Sequence, residues 1–169
     1  MGKVQILAVL SMDGCLSSEL YSKACKELRL DNCGINEIRD NALYHITPNY
    51  SLSMLDGWRK DGTDICYLAE ATPDKTEYIN GLLRMRVVDE IILYTVPFIS
   101  GTGRHFFKSV LPETQWTLTS QKNYPNGVCR SIRLVPFMDK RSYTAFRFRL
   151  KRTAKKKNHL KSRKSTSLA

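Results

Sequence analysis

Residues 91 to 99, IILYTVPFI, place apolar side chains on both alternating faces of an extended chain: Ile91, Ile92, Leu93, Tyr94, Val96, Phe98 and Ile99. Such a strand has no solvent side and belongs in a sheet covered above and below. Residues 4–11 read the same way. In a chain of 169 residues, about one domain by size, two strands of this kind call for one sheet with cover on both faces. Pro97 stands near the end of the second strand, where its missing N–H is tolerated. Gly101 and Gly103 follow, and they allow either a tight turn or the close approach of a ligand.

The covering helices are readable between the strands. SSELYSKACKELRL puts Leu20, Ala24 and Leu28 on one face at helical spacing, with Ser17 or Ser18 as cap. SLSMLDGWRKDG reads as a second helix ending near Gly62. TPDKTEYINGLLRM opens with Thr72 as N-cap, Pro73 at the first helical position and Asp74 in the first turn; it buries Ile79, Leu82 and Leu83. Short strands are expected at 42–46 and 64–69, and strand–helix–strand order across 64–96 predicts parallel pairing. After residue 110 three strand-like runs follow without helices: QWTLTSQ, GVCRSIRLV and SYTAFRFRLK. The last alternates Thr144, Phe146, Phe148 and Leu150 with Ala145, Arg147, Arg149 and Lys151, the pattern of a half-exposed antiparallel strand. The expected architecture is α/β: a mixed sheet, mostly parallel, with antiparallel C-terminal strands and helices on both faces.

Charge divides the chain. Of the net +11, residues 151–169 contribute eight Lys or Arg and no acid, whereas residues 1–150 hold 19 basic against 16 acidic residues. A folded domain over 1–152 and a basic arm over 153–169 are expected. An arm this polar fits disorder. It would hold nucleic acid by neutralising phosphates, with steep salt dependence, but it has no aromatic ring for stacking on bases. The other reading of the arm is a solvated tail with no partner. The five cysteines are scattered, with no C-x-x-C or Cys/His cluster. No metal site or disulfide framework is expected, and reduced thiols in a cytoplasmic protein are. No segment is long enough to span a membrane.

Three stretches resemble the dihydrofolate reductase-like family, particularly the branch containing the pyrimidine reductase of riboflavin synthesis (the RibD C-terminal domain). ILAVLSMDGCLS resembles that branch's first strand and its Ser-x-Asp-Gly turn. VVDEIILYTVPFISGTGRHFF resembles its Val-Asp-Glu strand followed by Pro, a Gly-x-Gly-type loop and Phe. SYTAFRFRLKR, with Trp116 upstream, resembles the closing antiparallel strands. The resemblance spans residues 4–152 in order. It implies an NADPH-dependent reductase passing hydride to a small heterocyclic substrate, pterin- or pyrimidine-like, in a homodimer. It places Glu19 where the family carries a ring-orienting acid on the first helix, and Asp13 where it carries a substrate-side aspartate. Read from the residues, Glu19 is an exposed first-turn acid favoured by the helix dipole, and Asp13 is part of an ordinary Asp-Gly turn. The loop Gly101, Thr102, Gly103 and Arg104 falls beside the family's ligand cleft. A plain turn with Arg104 at a sheet edge is the alternative.

The family's cofactor seat is where this chain departs. The Gly-Arg-x-Thr-Tyr segment after the first helix is missing from RLDNCGINEIRDNALYHI, in which Arg39 is the one arginine with a plausible position. The Gly-Gly pair that lets a pyrophosphate approach a helix N-terminus is replaced by Ala69-Glu70 in one register and Asp74-Lys75 in the other. Each introduces a carboxylate beside the expected phosphates. The groups left to cradle an anion near Ala69 are Thr72, Lys75, Thr76 and the helix N–H groups.

Overall fold

The computed structural model describes residues 2–60, 64–108 and 111–135, with the side chains of residues 59 and 60 excepted. The expected strand at 142–151, the arm at 153–169 and Gly62 lie outside the described residues. In chain order the elements are β1 (Lys3–Leu10), β2 (Cys15–Leu16), α1 (Ser18–Glu27), a 3-10 turn (Leu30–Cys33), α2 (Ile35–Asp40), β3 (Tyr44–His45) and α3 (Leu52–Lys60). Then come β4 (Cys66–Ala71), a 3-10 turn (Pro73–Lys75), α4 (Thr76–Arg84), β5 (Glu90–Thr95), β6 (Arg104–His105), β7 (Thr117–Asn123) and β8 (Cys129–Leu134).

Six strands form the main sheet in the order β3-β4-β1-β5-β8-β7, and β2 and β6 form a separate antiparallel pair. The first four are mutually parallel, while β8 runs antiparallel to β5 and to β7. This is the mixed α/β sheet the alternating pattern predicts. The strand period sorts β1 between two apolar layers. Val4, Ile6, Ala8 and Leu10 pack with Leu55 of α3 and with Ile79, Leu82 and Leu83 of α4. Leu7 and Val9 face the other way, towards Leu20 and Ala24 of α1 and Ile35 of α2. Helices therefore cover both faces, and β1 and β5 are buried along most of their lengths.

Local chemistry explains most element ends. Ser17, extended, caps α1 by accepting from the Leu20 N–H at 3.3 Å. β5 stops at Thr95, ahead of Pro97. β4 begins and ends two residues later than the sequence pattern suggests. Its ladder to β1 runs from Lys3↔Cys66 to Ala8↔Ala71, so Glu70 sits inside the strand rather than in the following turn. Thr72 precedes the 3-10 turn but its side chain makes no capping bond. A short helix, α2, stands where no helix is expected. Arg29 (φ 47) and Gly34 (φ 77) both adopt left-handed backbone, and they turn the chain so that Leu30 and Ile35 reach the core.

Tyr94 of β5 is fully buried, and its hydroxyl donates to the Cys33 carbonyl at 3.0 Å. Burial pushes the Tyr94 hydroxyl up from 10.0 to about 12. The unfolded chain therefore ionises first: the stabilisation is complete below pH 10 and is lost as pH rises towards 12, on the order of 2–3 kcal/mol in all. Urea midpoints measured across that window are expected to fall more steeply for the wild type than for Tyr94→Phe. Parallel slopes would contradict this role.

Candidate functional site

The connections leaving β1 and β4 diverge to opposite faces of the sheet, through α1 on one side and α4 on the other. The crevice outside the carboxyl ends of such neighbouring strands is where ligands of open α/β sheets bind. A cavity of about 160 Å³ lies there. Leu7, Val9, Leu16 and Ile35 supply its apolar lining; Ser17, Tyr21, Arg39, Glu70 and Thr72 supply polar groups.

Arg39 of α2 organises the polar side. Its Nε donates to Glu70 Oε1 at 3.1 Å and its Nη2 to Glu70 Oε2 at 2.8 Å, a bidentate fork across α2 and β4. Nη2 also donates to the Tyr21 hydroxyl at 2.8 Å, and Nη1 to Asn36 Oδ1 at 3.3 Å. The Glu70 bonds raise the Arg39 guanidinium further above its ordinary range, against the pull of burial. Burial has the opposite sign at Tyr21, where it pushes the hydroxyl up, so it remains a neutral O–H. His45 Nδ1 stands 3.9 Å from Glu70 Oε1 on the outer side. Arg39 was readable as the one plausible arginine of its segment. Its partners were not, because Tyr21, Arg39 and Glu70 lie far apart in sequence and meet only across three elements.

The other expected residues fall elsewhere. Glu19 is exposed on the outer surface of α1, beside Ser22, Lys23 and Lys26, and does not line the cavity. Leu20 and Ala24 anchor the buried face of α1, and Tyr21, not Glu19, is turned to the crevice. Glu19 thus stands as a first-turn acid on the exposed side of α1. Asp13 is exposed and accepts the N–H groups of Ser100 (3.0 Å) and Gly101 (3.1 Å). The Ser11 hydroxyl and then these N–H groups hold the Asp13 carboxyl well below the usual range. The N–H groups of Ser100 and Gly101 are therefore already used by the chain. Gly103 (φ +122) has a different duty: a Cβ there would stand 2.7 Å from the Leu16 carbonyl oxygen. It lets β6 close on β2, where Arg104 pairs with Leu16. Gly101 (φ +61) makes the turn, and Thr102 is exposed with its hydroxyl on the Ser100 carbonyl. The two glycines here each meet a backbone requirement of the chain's own.

No protein-family model and no curated protein matches the chain. Among solved structures it is similar to a protein ascribed to riboflavin biosynthesis from Shewanella sp. PV-4. The identity is 10%, the TM-score 0.52, and the match covers 79% of this chain and 99% of that one. The fold is dihydrofolate reductase-like. A pyrimidine reductase-like protein from Corynebacterium diphtheriae (13% identity, TM-score 0.46, 80% of this chain and 92% of that one) and Acinetobacter baumannii RibD (12%, 0.44, 80% and 58%) are more distant in shape.

A dihydrofolate reductase-like domain that holds NADPH needs bare backbone and free N–H groups for the pyrophosphate at the helix after β4. These residues do not fit that need. Ala69 is 1% exposed, in the core cluster beneath α4. Thr76 is fully buried, and its hydroxyl donates back to Pro73 and Thr72 carbonyls at 2.9 and 3.2 Å. Both leave the expected phosphate set. The Lys75 N–H donates to the Thr72 carbonyl at 3.0 Å, and Pro73 has none to offer. Asp74 holds an exposed carboxylate there, kept below the usual range first by the Thr72 hydroxyl. Of the expected set only Thr72 reaches the cavity wall.

Proposed function

We propose that the chain is a reductase-type protein in fold and descent that keeps a ring-binding crevice while having no built seat for a dinucleotide. The observation that carries this reading is the Arg39–Glu70–Tyr21 network walling a cavity of about 160 Å³ at the strand ends. That volume is below the roughly 300–1,000 Å³ of sites that enclose a drug-sized ligand. It accommodates a single small heterocycle, with the apolar lining against the ring face and the hydroxyls at its edge. The likeness in fold to the Shewanella protein ascribed to riboflavin biosynthesis, together with the motifs at 6–17 and 87–107, supports a reductase ancestry; the residues around Pro73–Lys75 speak against NADPH as a tight partner.

Calorimetric titration tests this directly. Single-ring heterocycles of the pyrimidinedione class are expected to bind in the micromolar range, and NADPH and NADH no better than millimolar. Micromolar NADPH affinity would overturn the dinucleotide half of the proposal and restore a complete reductase. Failure of all rings to bind would remove the crevice reading itself.

A further inference from the structure

We infer that the crevice selects a neutral, acceptor-rich ring and discriminates against the phosphorylated form of the same ligand. The inference rests on the ring-binding reading above and concerns what that ring carries.

Arg39 is the one cation lining the cavity among the described residues, and its donors are largely spoken for. Two go to Glu70, one to Tyr21 and one to Asn36. A guanidinium already matched by a bidentate carboxylate has no net charge left for a phosphate. Outside the wall, Lys75 and Arg104 help hold the Asp74 carboxyl ionised; that carboxylate offsets part of their charge, and neither cation lines the cavity. The α1 N-terminus beside the cavity is answered by the Ser17 cap and the first-turn carboxylate of Glu19.

What remains free in the wall is hydroxyl. Tyr21 accepts from Arg39, which leaves its own O–H with only the weakly accepting Cys25 sulfur nearby. Ser17 accepts from the Leu20 N–H and keeps its O–H. Thr72 Oγ1 is buried and meets no partner at hydrogen-bond geometry among the described residues, although it lies near enough to Asp74 to influence it. A buried hydroxyl without a partner is a cost that a ligand's carbonyl or ring nitrogen removes. Three O–H donors around an apolar lining suit a neutral ring bearing carbonyl or ring-nitrogen acceptors.

The test compares uridine with uridine 5′-monophosphate, which differ only in the phosphate, by calorimetry on the full chain. Assays near physiological salt screen the basic arm. Only binding that Thr72→Val weakens is counted, which excludes phosphate held elsewhere. Uridine is expected to bind at least about tenfold tighter than the monophosphate. Glu70→Gln, which releases the Arg39 fork and removes one negative charge, is expected to bring the two within about twofold and to make monophosphate binding salt-dependent. Equal or tighter monophosphate binding by the wild type, sensitive to Thr72→Val, would overturn the selectivity while leaving ring binding intact. If neither ligand binds and the free pyrimidinedione ring does not bind either, the ring-binding reading fails and the selectivity with it; if the ring alone binds, ring binding stands and the selectivity is overturned.

Discussion

Phe106→Ala is expected to cost about 3–5 kcal/mol of folding stability, the range for removing a buried aromatic side chain. Phe106 is fully buried and packs into the layer formed by β1, α3 and α4. Its backbone is tied on both sides: its N–H donates to the Gly14 carbonyl at 3.1 Å, and its carbonyl accepts from Asn80 Nδ2 at 3.1 Å. Those bonds hold the segment in place, so little collapse around the missing ring is available to reduce the cavity. For a domain with 5–15 kcal/mol in hand, this is a large fraction. Urea unfolding should show a lower midpoint at unchanged slope. Phe107 is the internal comparison: its ring meets Phe106 edge-on at 4.5 Å but is 50% exposed, and Phe107→Ala should cost less than about 1.5 kcal/mol. Equal losses in the two variants would mean that Phe106 is not the core anchor of this segment.

Gly103→Ala has the next largest effect. A methyl group at residue 103 would sit 2.7 Å from the Leu16 carbonyl oxygen, a backbone atom that cannot swing away, and the φ of +122 is closed to side chains. Strain of 1–3 kcal/mol from the backbone angle adds to the cost of parting β2 from β6, so about 2–4 kcal/mol is expected. Gly101→Ala separates the two sources. Its φ of +61 is the ordinary left-handed region and nothing lies within 4 Å of its Cβ position, so about 1–2 kcal/mol should be lost. If Gly101→Ala proved the costlier change, the β2–β6 closure would not be what Gly103 serves. A ligand role for these glycines, which the motif alone allowed, would then return.

Much of the fold was legible because strands buried on both faces leave a local trace. The runs at 91–95 and 4–10 are central strands as read, although the expected strand overran at 96–99, where β5 has ended and Ile99 is exposed; the Ser17 cap and the Leu20/Ala24 spacing marked α1 from sequence-near signals. Elements held by distant partners left none. The β2–β6 pair is two residues per strand, and α2 is only six residues long, directed by left-handed backbone at Arg29 and Gly34. Phe106 and Phe107 are identical in type, and only the sheet decided which one is inside.

The candidate site shows the same division. The sequence by itself determined the α/β architecture, the absence of a glycine pair between β4 and the start of α4, and the presence of carboxylates there, since composition at a position needs no fold to be read. Whether those carboxylates are free was a tertiary matter. The two-residue advance of β4 brings Glu70 into register with Leu7, on the face where α2 presents Arg39 and α1 presents Tyr21, and so converts an unmatched charge into one side of a bidentate pair. The helical phase of α1 likewise turned Glu19 to solvent and Tyr21 to the crevice. A side chain's type is written in the chain, but its partner is set by register and helical phase, which only the packed structure fixes.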